Sequence, residues 1–458
     1  MTRSPNSRLR AIIHESGLRY EDLARLVRSV AAASGTTIRT GKSNVSCWLG
    51  GTPPNPQTAR YLCEALSRTL GRPISLADIG LSATPGDTGR ADVGLTVEGD
   101  PVEMLGQLGS ADIERRTFLT GSAYSVAAAA LPLGNAGEAH ARTRRALNGG
   151  IAGSSEVRAV RDMVAMFTAI DERHGGQHGR SAVVQYLRTD VLGLCQAQFR
   201  TIEQRNDMLT SAASLAYLCG WKAYDAGEMG LAQRYYLQAY ALTKDAGNTA
   251  HEAFTLRILA YHGMDNGRHE HVLGLADAAL ERAQGRVDRV TESLFVICRA
   301  RALASVGQAS RSLAEADRAR TLAGSTGAEG MTGWASMWGA ASANVASQTA
   351  KILDSIGDFR GAERHHANAR RRYSGTEHQR IAALSAAAEG HSQYQQGQVE
   401  RACATWGQAL DTMTGIRSTR TLKAVHAMRS AVNQVKDRAV RPALDLDERA
   451  HTWLREAP

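Results

Sequence analysis

Residues 39–47 read Arg-Thr-Gly-Lys-Ser-Asn-Val-Ser-Cys, and the chemistry they offer is recognition rather than reaction. Short polar groups (Thr40, Ser43, Asn44, Ser46, Cys47) are interleaved with two cations, Arg39 and Lys42. On a helix starting near Lys42, Val45, Trp48 and Leu49 share one face and pack inward. The opposite face presents Ser43 and Cys47, flanked by Lys42, Asn44 and Ser46. A helix with short polar side chains outward can enter the major groove of double-stranded DNA closely, Ser and Asn reading base edges while Lys and Arg hold phosphates. Arg39 and Thr40 precede the helix N-terminus, where backbone amides also favour phosphate.

Reactive constellations are not found. There is no Walker loop, no Gly-x-Ser-x-Gly and no His-Glu-x-x-His, so the chain is expected to be neither an enzyme nor a cofactor carrier. His262, His269 and His271 lie close together, as do His365 and His366, but no metal-site pattern is completed and they are read as surface or packing residues. Six widely spaced cysteines with no Cys-x-x-Cys argue against a disulfide framework and for a reducing cytoplasm. Trp334, Met337 and Trp338 fall on one helical face and could either line a ligand pocket or pack in a core. Arg115-Arg116-Thr117-Phe118-Leu119, followed by an Ala-rich stretch to Leu133, looks like a twin-arginine signal. Its internal position and short apolar run favour an interdomain helix, so no membrane partner is expected. The polar, basic stretch from Met1 to Arg10 is not a secretory signal.

The elements that must carry residues 39–47 are helical. Leu9, Ile12 and Ile13 mark a first helix. Tyr20 to Val27 forms a second and Gly41 to Leu49 a third. Gln57 to Leu70 gives a fourth, and Ser75 caps a short turn toward Ile79. Residues 1–80 hold eleven Lys or Arg against five Asp or Glu, six of the chain's net nine positive charges, which suits a polyanionic partner. Leu23-Ala24, then Val45-Ser46-Cys47-Trp48-Leu49-Gly50-Gly51 and the prolines that follow resemble the Cro/repressor-type helix-turn-helix of the XRE-like regulators. Ala24 and Val45 stand 21 residues apart, farther than in compact motifs; the insertion around Ser29 to Thr40 either lengthens the second helix or forms a loop.

Behind this domain the chain repeats itself. Gly227-Ala232-Tyr236-Ala239, Gly267-Val272-Ala276-Ala279, Gly307-Ser312-Ala316-Ala319, Gly357-Ala362-His366-Ala369 and Gly397-Ala402-Trp406-Ala409 share steps of five, four and three residues. The glycines recur after 40, 40, 50 and 40 residues. This marks a solenoid of helix pairs. Each glycine turns the chain, the next small residue lets the second helix approach the first, and the final Ala lets the next pair stack. The pattern resembles a divergent tetratricopeptide array, with residues 171–187 beginning the stack.

The expected fold is therefore all-α: an N-terminal helix-turn-helix domain (1–80), a linker with a signal-like apolar helix (81–154) and a tetratricopeptide-like α-solenoid (155–458). The combination resembles a group of actinomycete regulators associated with sporulation and antibiotic production. The resemblance implies a cytoplasmic DNA-binding transcription regulator, a homodimer on paired half-sites, whose array receives a small molecule, a peptide or a protein partner. The alternative is a protein-interaction adaptor that does not bind DNA.

Overall fold

A computed structural model describes residues 4–33, 36–70, 72, 74–81, 93–97, 99–113, 151–325, 331, 333–337, 339–373, 378–435 and 441–456. The architecture is all-α, as the sequence suggests. Among the described residues the only strands are a two-residue parallel bridge, β1 (Ile151–Ala152) with β2 (Gln198–Phe199).

The N-terminal unit consists of α1 (Ser7–Ser16), α2 (Tyr20–Ala33), α3 (Lys42–Leu49) and α4 (Pro56–Leu70). Asn55 caps α4 by accepting from the Thr58 amide at 2.7 Å, and Pro56 takes the first helical position, where no amide partner is needed. The core joins Leu9 and Ile13 of α1 to Leu23, Ala24 and Val27 of α2, Val45, Trp48 and Leu49 of α3, and Leu62 and Leu66 of α4. Asn6 knots three ends together. Its Oδ1 accepts from the Leu9 amide at 2.9 Å, its Nδ2 donates to the Ile79 carbonyl at 2.8 Å, and its backbone amide donates to the Leu49 carbonyl at 3.0 Å. The Ser75 hydroxyl accepts from the Asp78 amide at 3.2 Å, making the short turn toward Ile79. The insertion ahead of α3 does both things open to it. α2 runs on to Ala33, and residues 36–41 then lead into α3 without helix.

Part of the stretch read as linker joins the array. Helix α5 (Pro101–Ile113) and residues 93–97 contribute Val93, Val97, Val102, Leu105 and Leu108 to the array's first core. Gln238 donates to the carbonyls of Gly94 (3.2 Å) and Thr96 (2.7 Å), and Asp112 accepts from Tyr235 at 2.9 Å and Arg180 at 2.5 Å. The signal-like segment from Arg115 to Leu133 lies outside the described residues.

The array opens with α6 (Ser154–His174), α7 (Arg180–Tyr186), one π turn (Leu187–Val191) and α8 (Leu192–Cys195). Val183, Val184 and Leu187 are buried, as expected of the start of the stack. Five hairpins follow: α9 (Ile202–Asp225) with α10 (Met229–Asp245), α11 (Thr249–Asp265) with α12 (Val272–Ala283), and α13 (Arg289–Ser305) with α14 (Ala309–Ala323). After α15 (Gly333–Ser336) come α16 (Ala341–Ser355) with α17 (Phe359–Arg372) and α18 (Gln379–Gln395) with α19 (Val399–Met413). The α15 segment fills the 50-residue step between Gly307 and Gly357. Helices α20 (Thr419–Asn433) and α21 (Arg441–Glu456) end the described array.

All five turn glycines have positive φ, between 63° and 85°. Each closes its helix in the same way. At Gly227 the glycine amide reaches back to the Tyr224 carbonyl (3.0 Å) and the Glu228 amide to the Ala223 carbonyl (2.8 Å), and the same pair recurs at Gly267, Gly307, Gly357 and Gly397. This is the hydrogen-bond pattern that satisfies the last carbonyls of a helix with a left-handed residue after it. Every residue five, nine and twelve positions on from these glycines is buried.

The position nine after the glycine varies in size, and the facing helix compensates. Tyr236 lies over Gly220 and Trp406 over Gly390; a Cβ on either glycine would come within 2.6 or 2.5 Å of the ring. Both glycines stand seven residues before their turn glycine. In the other three hairpins that place is taken by Ala260, Ala300 and Ala350, opposite Ala276, Ala316 and His366. The two largest rings at this position, Tyr236 and Trp406, are thus met by the absence of a side chain, which leaves them room.

The last hairpin returns to the first. Arg380 of α18 is fully buried against the end of α6 and α9, donating to Asp171 Oδ2 at 2.6 Å and to Glu172 Oε1, and lying 3.2 Å from Asp225 Oδ2. Lys222 Nζ bonds Asp171 Oδ1 at 3.0 Å, and Trp221 Nε1 donates to Asp171 Oδ2 at 3.0 Å. The Ser418 hydroxyl and the Gly176 amide both donate to Asp225 at 2.8 Å. The Arg417 amide donates to the His174 carbonyl at 2.9 Å.

Candidate functional site

Beside this closure lies a partly open cavity of about 130 Å³. It is bounded by the first helix of four consecutive hairpins (α9, α11, α13, α16) and, from the returning side, by α18 and α20. One register of the repeat supplies its chemistry. The residue six before the turn glycine is Trp221, Tyr261, Arg301 and Lys351 in successive hairpins, and all four line the cavity. Ten before the glycine, Tyr217, Arg257 and Ser347 do the same. Both registers project from one face of the first helix because they are four residues apart.

The aromatic walls carry cations. Arg257 sits 4.9 Å and Arg301 5.5 Å from the Tyr261 ring centre, and Arg420 of α20 sits 5.4 Å from Trp221 and 5.5 Å from Tyr224. Such contacts gain strength where water is excluded. Arg257 is further held by the Leu294 carbonyl (3.0 Å) and Asn344 Oδ1 (3.1 Å). Asp265 accepts from Arg301 Nη2 at 2.5 Å and Tyr224 Oη at 2.8 Å. Burial alone would raise the Asp265 carboxyl, but the charges of Arg301 and Lys351 and these hydrogen bonds hold it well below the usual range. Lys351 is pushed down to about 8, first by burial and then by Arg301, against the pull of Asp265. His262 Nε2 lies 2.8 Å from the Met229 carbonyl, which fixes that nitrogen as the protonated one; burial pushes the ring down to about 4, so it is neutral.

The sequence points elsewhere for the pocket. Trp334 stacks on His251 (ring centres 5.2 Å apart, 11° between planes) and tilts against Phe254. Met337 packs against the same core. Neither lines the cavity; their neighbours Ala335 and Gly339 do, while Trp334 packs against His251 and Phe254 of α11. Trp338 lies outside the described residues. Trp334 and Met337 thus take the packing alternative, and the register six before each glycine is the signal that leads to the lining of this cavity.

On α3 the structure exposes Lys42, Ser43, Asn44, Ser46 and Cys47 on one side, with Arg39 exposed just ahead of them. Thr40 departs from expectation. It is 7% exposed, and its carbonyl accepts from Arg28 Nη1, which fastens the segment before α3 to α2 and occupies one arginine that could otherwise face phosphate. Asn44 Oδ1 accepts from the Gly41 amide at 2.9 Å, the half of a capping box that the third helical residue supplies. The asparagine is therefore partly committed to the helix start. Among the described residues no group of three or more His, Cys, Asp or Glu is placed to hold a metal ion, and no helix is long and apolar enough to cross a membrane.

Residues 9–82 match the family model of the SP15 N-terminal domain. The match begins at the first core residue of α1, Leu9, and ends just past Gly80, so it spans the N-terminal helical unit and none of the array. A solved structure of a Rap protein complexed with competence and sporulation factor is similar at 14% identity and a TM-score of 0.39, over 66% of this chain and 97% of that one. No curated protein matches the chain.

Proposed function

We propose that the chain is a non-catalytic receptor whose array takes a peptide, or a segment of a protein partner, against the face formed by the first helices of its hairpins. The observation that carries this reading is the single register that sets Trp221, Tyr261, Arg301 and Lys351 around one cavity. Aromatic rings beside arginines are the composition of surfaces on which binding energy concentrates. Repeats stacked this way also offer an extended surface on either side of the cavity. Selection of a displayed random-peptide library on the full chain tests it. Selected peptides should bind Ser347→Trp, which fills the cavity, at least about tenfold more weakly than the wild type, with the melting temperature little changed. Equal binding to both proteins, or no enriched peptide, would overturn the reading.

A second reading is favoured by one observation, the polar outward side of α3 on a domain with a surplus of six positive charges. Here the N-terminal unit binds duplex DNA in the manner implied by its resemblance to XRE-like domains. The chain then works as a cytoplasmic dimer in control of development or antibiotic production. A ligand on the array acts on DNA only by favouring one arrangement of the two halves. If Arg39, Lys42 and neighbouring cations meet phosphates, affinity for genomic fragments should fall by orders of magnitude between about 50 and 200 mM salt. A flat response would leave the adaptor function alone standing.

A further inference from the structure

We infer that the cavity seats an anionic group, a carboxylate or a phosphate, between the Lys351 ammonium and the Arg420 guanidinium. The inference rests on the receptor reading for its occupant and names the chemistry by which that occupant is anchored.

Charge is unevenly matched within this partly open cavity. Four cations, Arg257, Arg301, Lys351 and Arg420, face a cavity to which one carboxylate, Asp265, contributes, and Arg257 is already held by the Leu294 carbonyl and Asn344 Oδ1. Asp265 is already taken by Arg301 and Tyr224, and the other arginine nitrogen, Nη1 of Arg301, donates to Gln348 Oε1 at 3.0 Å. Asp354, the next nearest carboxylate to Lys351, is engaged by His366 and Ser392 at 2.8 and 2.9 Å. Lys351 makes no hydrogen bond or ion pair among the described residues. Arg420 Nη1 is shut away from solvent without a hydrogen bond, 4.0 Å from Asp225 Oδ1. Two positive heads are thus left over, that of Arg420 set against the rings of Trp221 and Tyr224 and that of Lys351 facing the same cavity. Charged donors withdrawn from water in this way are costly unless matched, Arg420 Nη1 fully and the half-buried Lys351 in part, and a bound anion would match both. An opening of about 130 Å³ admits a small group of this type at the end of a larger ligand, while the rings beside it accept apolar neighbours.

The pH behaviour follows from the groups around Lys351. His262 is neutral through the physiological range, and burial keeps Tyr224, Tyr261 and Tyr373 protonated beyond pH 9. Asp265, held low by its cationic neighbours, stays charged, and a guanidinium does not lose its proton in this range. Lys351 is therefore the group that changes between pH 7 and 9.

The test uses the full chain, with inorganic phosphate and succinate as separate probes against sodium chloride of equal ionic strength. At pH 7 millimolar phosphate or succinate should raise the melting temperature by about 3 °C or more over chloride. The preferred probe tells phosphate from carboxylate. The protection should fade above pH 8 and be lost in Lys351→Met and Arg420→Gln. Without added anion Lys351→Met should melt no lower than the wild type, since it removes a crowded buried charge, and this serves as its folding control. Protection that persists in a folded Lys351→Met protein, or no protection by either anion, would overturn the inference. Peptides that bind wild type and Lys351→Met alike would sink it while sparing the receptor. Anion protection that dies with Lys351→Met, alongside a failed peptide selection, would uphold it and sink the receptor.

Discussion

Replacing Arg380 with alanine should cost about 3–5 kcal/mol of stability at pH 7, because it strands three buried carboxylates, Asp171, Glu172 and Asp225. Lys222 remains against Asp171, while Asp225 keeps the Ser418 and Gly176 bonds with Arg420 at 4.0 Å, and Glu172 keeps only the longer approach of His378 at 3.6 Å among the described contacts. The sign of the pH dependence is fixed by Asp171. Burial would raise its carboxyl, and the charges and hydrogen bonds of Arg380 and Lys222 instead hold it below the usual range. Its contribution in the wild type is thus present at neutral pH and is lost as pH falls through its depressed value. In Arg380→Ala the carboxylates should protonate more readily on burial, so the gap between the two proteins should narrow from pH 7 to pH 5. Chemical denaturation at the two pH values measures it. A gap that is small at pH 7, or one that widens in acid, would show that the cluster does not hold the array closed.

The second large effect is expected at Gly175. Its φ is +88°, and a Cβ built there would stand 2.1 Å from the Arg417 carbonyl oxygen and 2.6 Å from its carbon. Backbone cannot be displaced as a flexible side chain can, so Gly175→Ala must part the end of α6 from the turn before α20. The left-handed conformation and the clash together should cost about 3 kcal/mol or more. They should also raise the radius of gyration seen by solution scattering. Gly193→Ala is the companion measurement. That glycine is exposed within α8 with open space around the added carbon, and its substitution should be neutral or slightly stabilising. If the two variants melt and scatter alike, the contact between the array's ends is not formed in solution.

These two positions also mark where sequence reasoning stops. The hairpins were legible because each is a local device: a left-handed glycine, small residues five and twelve positions later, and a filler between them, all within one turn and one helix. The N-terminal helices were legible for the same reason, through caps and prolines a few residues apart. Arg380 and Asp171 are 209 residues apart, and no periodicity joins them. The cavity was half legible. Trp221, Tyr261, Arg301 and Lys351 share a register, but as individual residues they are indistinguishable from core aromatics and solvated charges. By sequence spacing Trp334 and Met337 share one helical face, which is equally a mark of packing. At α3 the outward face was readable from helical spacing, whereas Thr40 was not, since its burial follows from a bond that Arg28 makes from the neighbouring helix.

Open solenoids fold and fray as one-dimensional lattices, each unit answering only to its neighbours. A stack whose first and last units grip one another loses that independence. Its final contacts close a loop of about two hundred residues, which raises the entropy that must be surrendered before the rewarding interactions form and slows the approach to the native state. In return, unzipping from either terminus is blocked, so a defect in any single repeat should be felt throughout the ring as one cooperative transition.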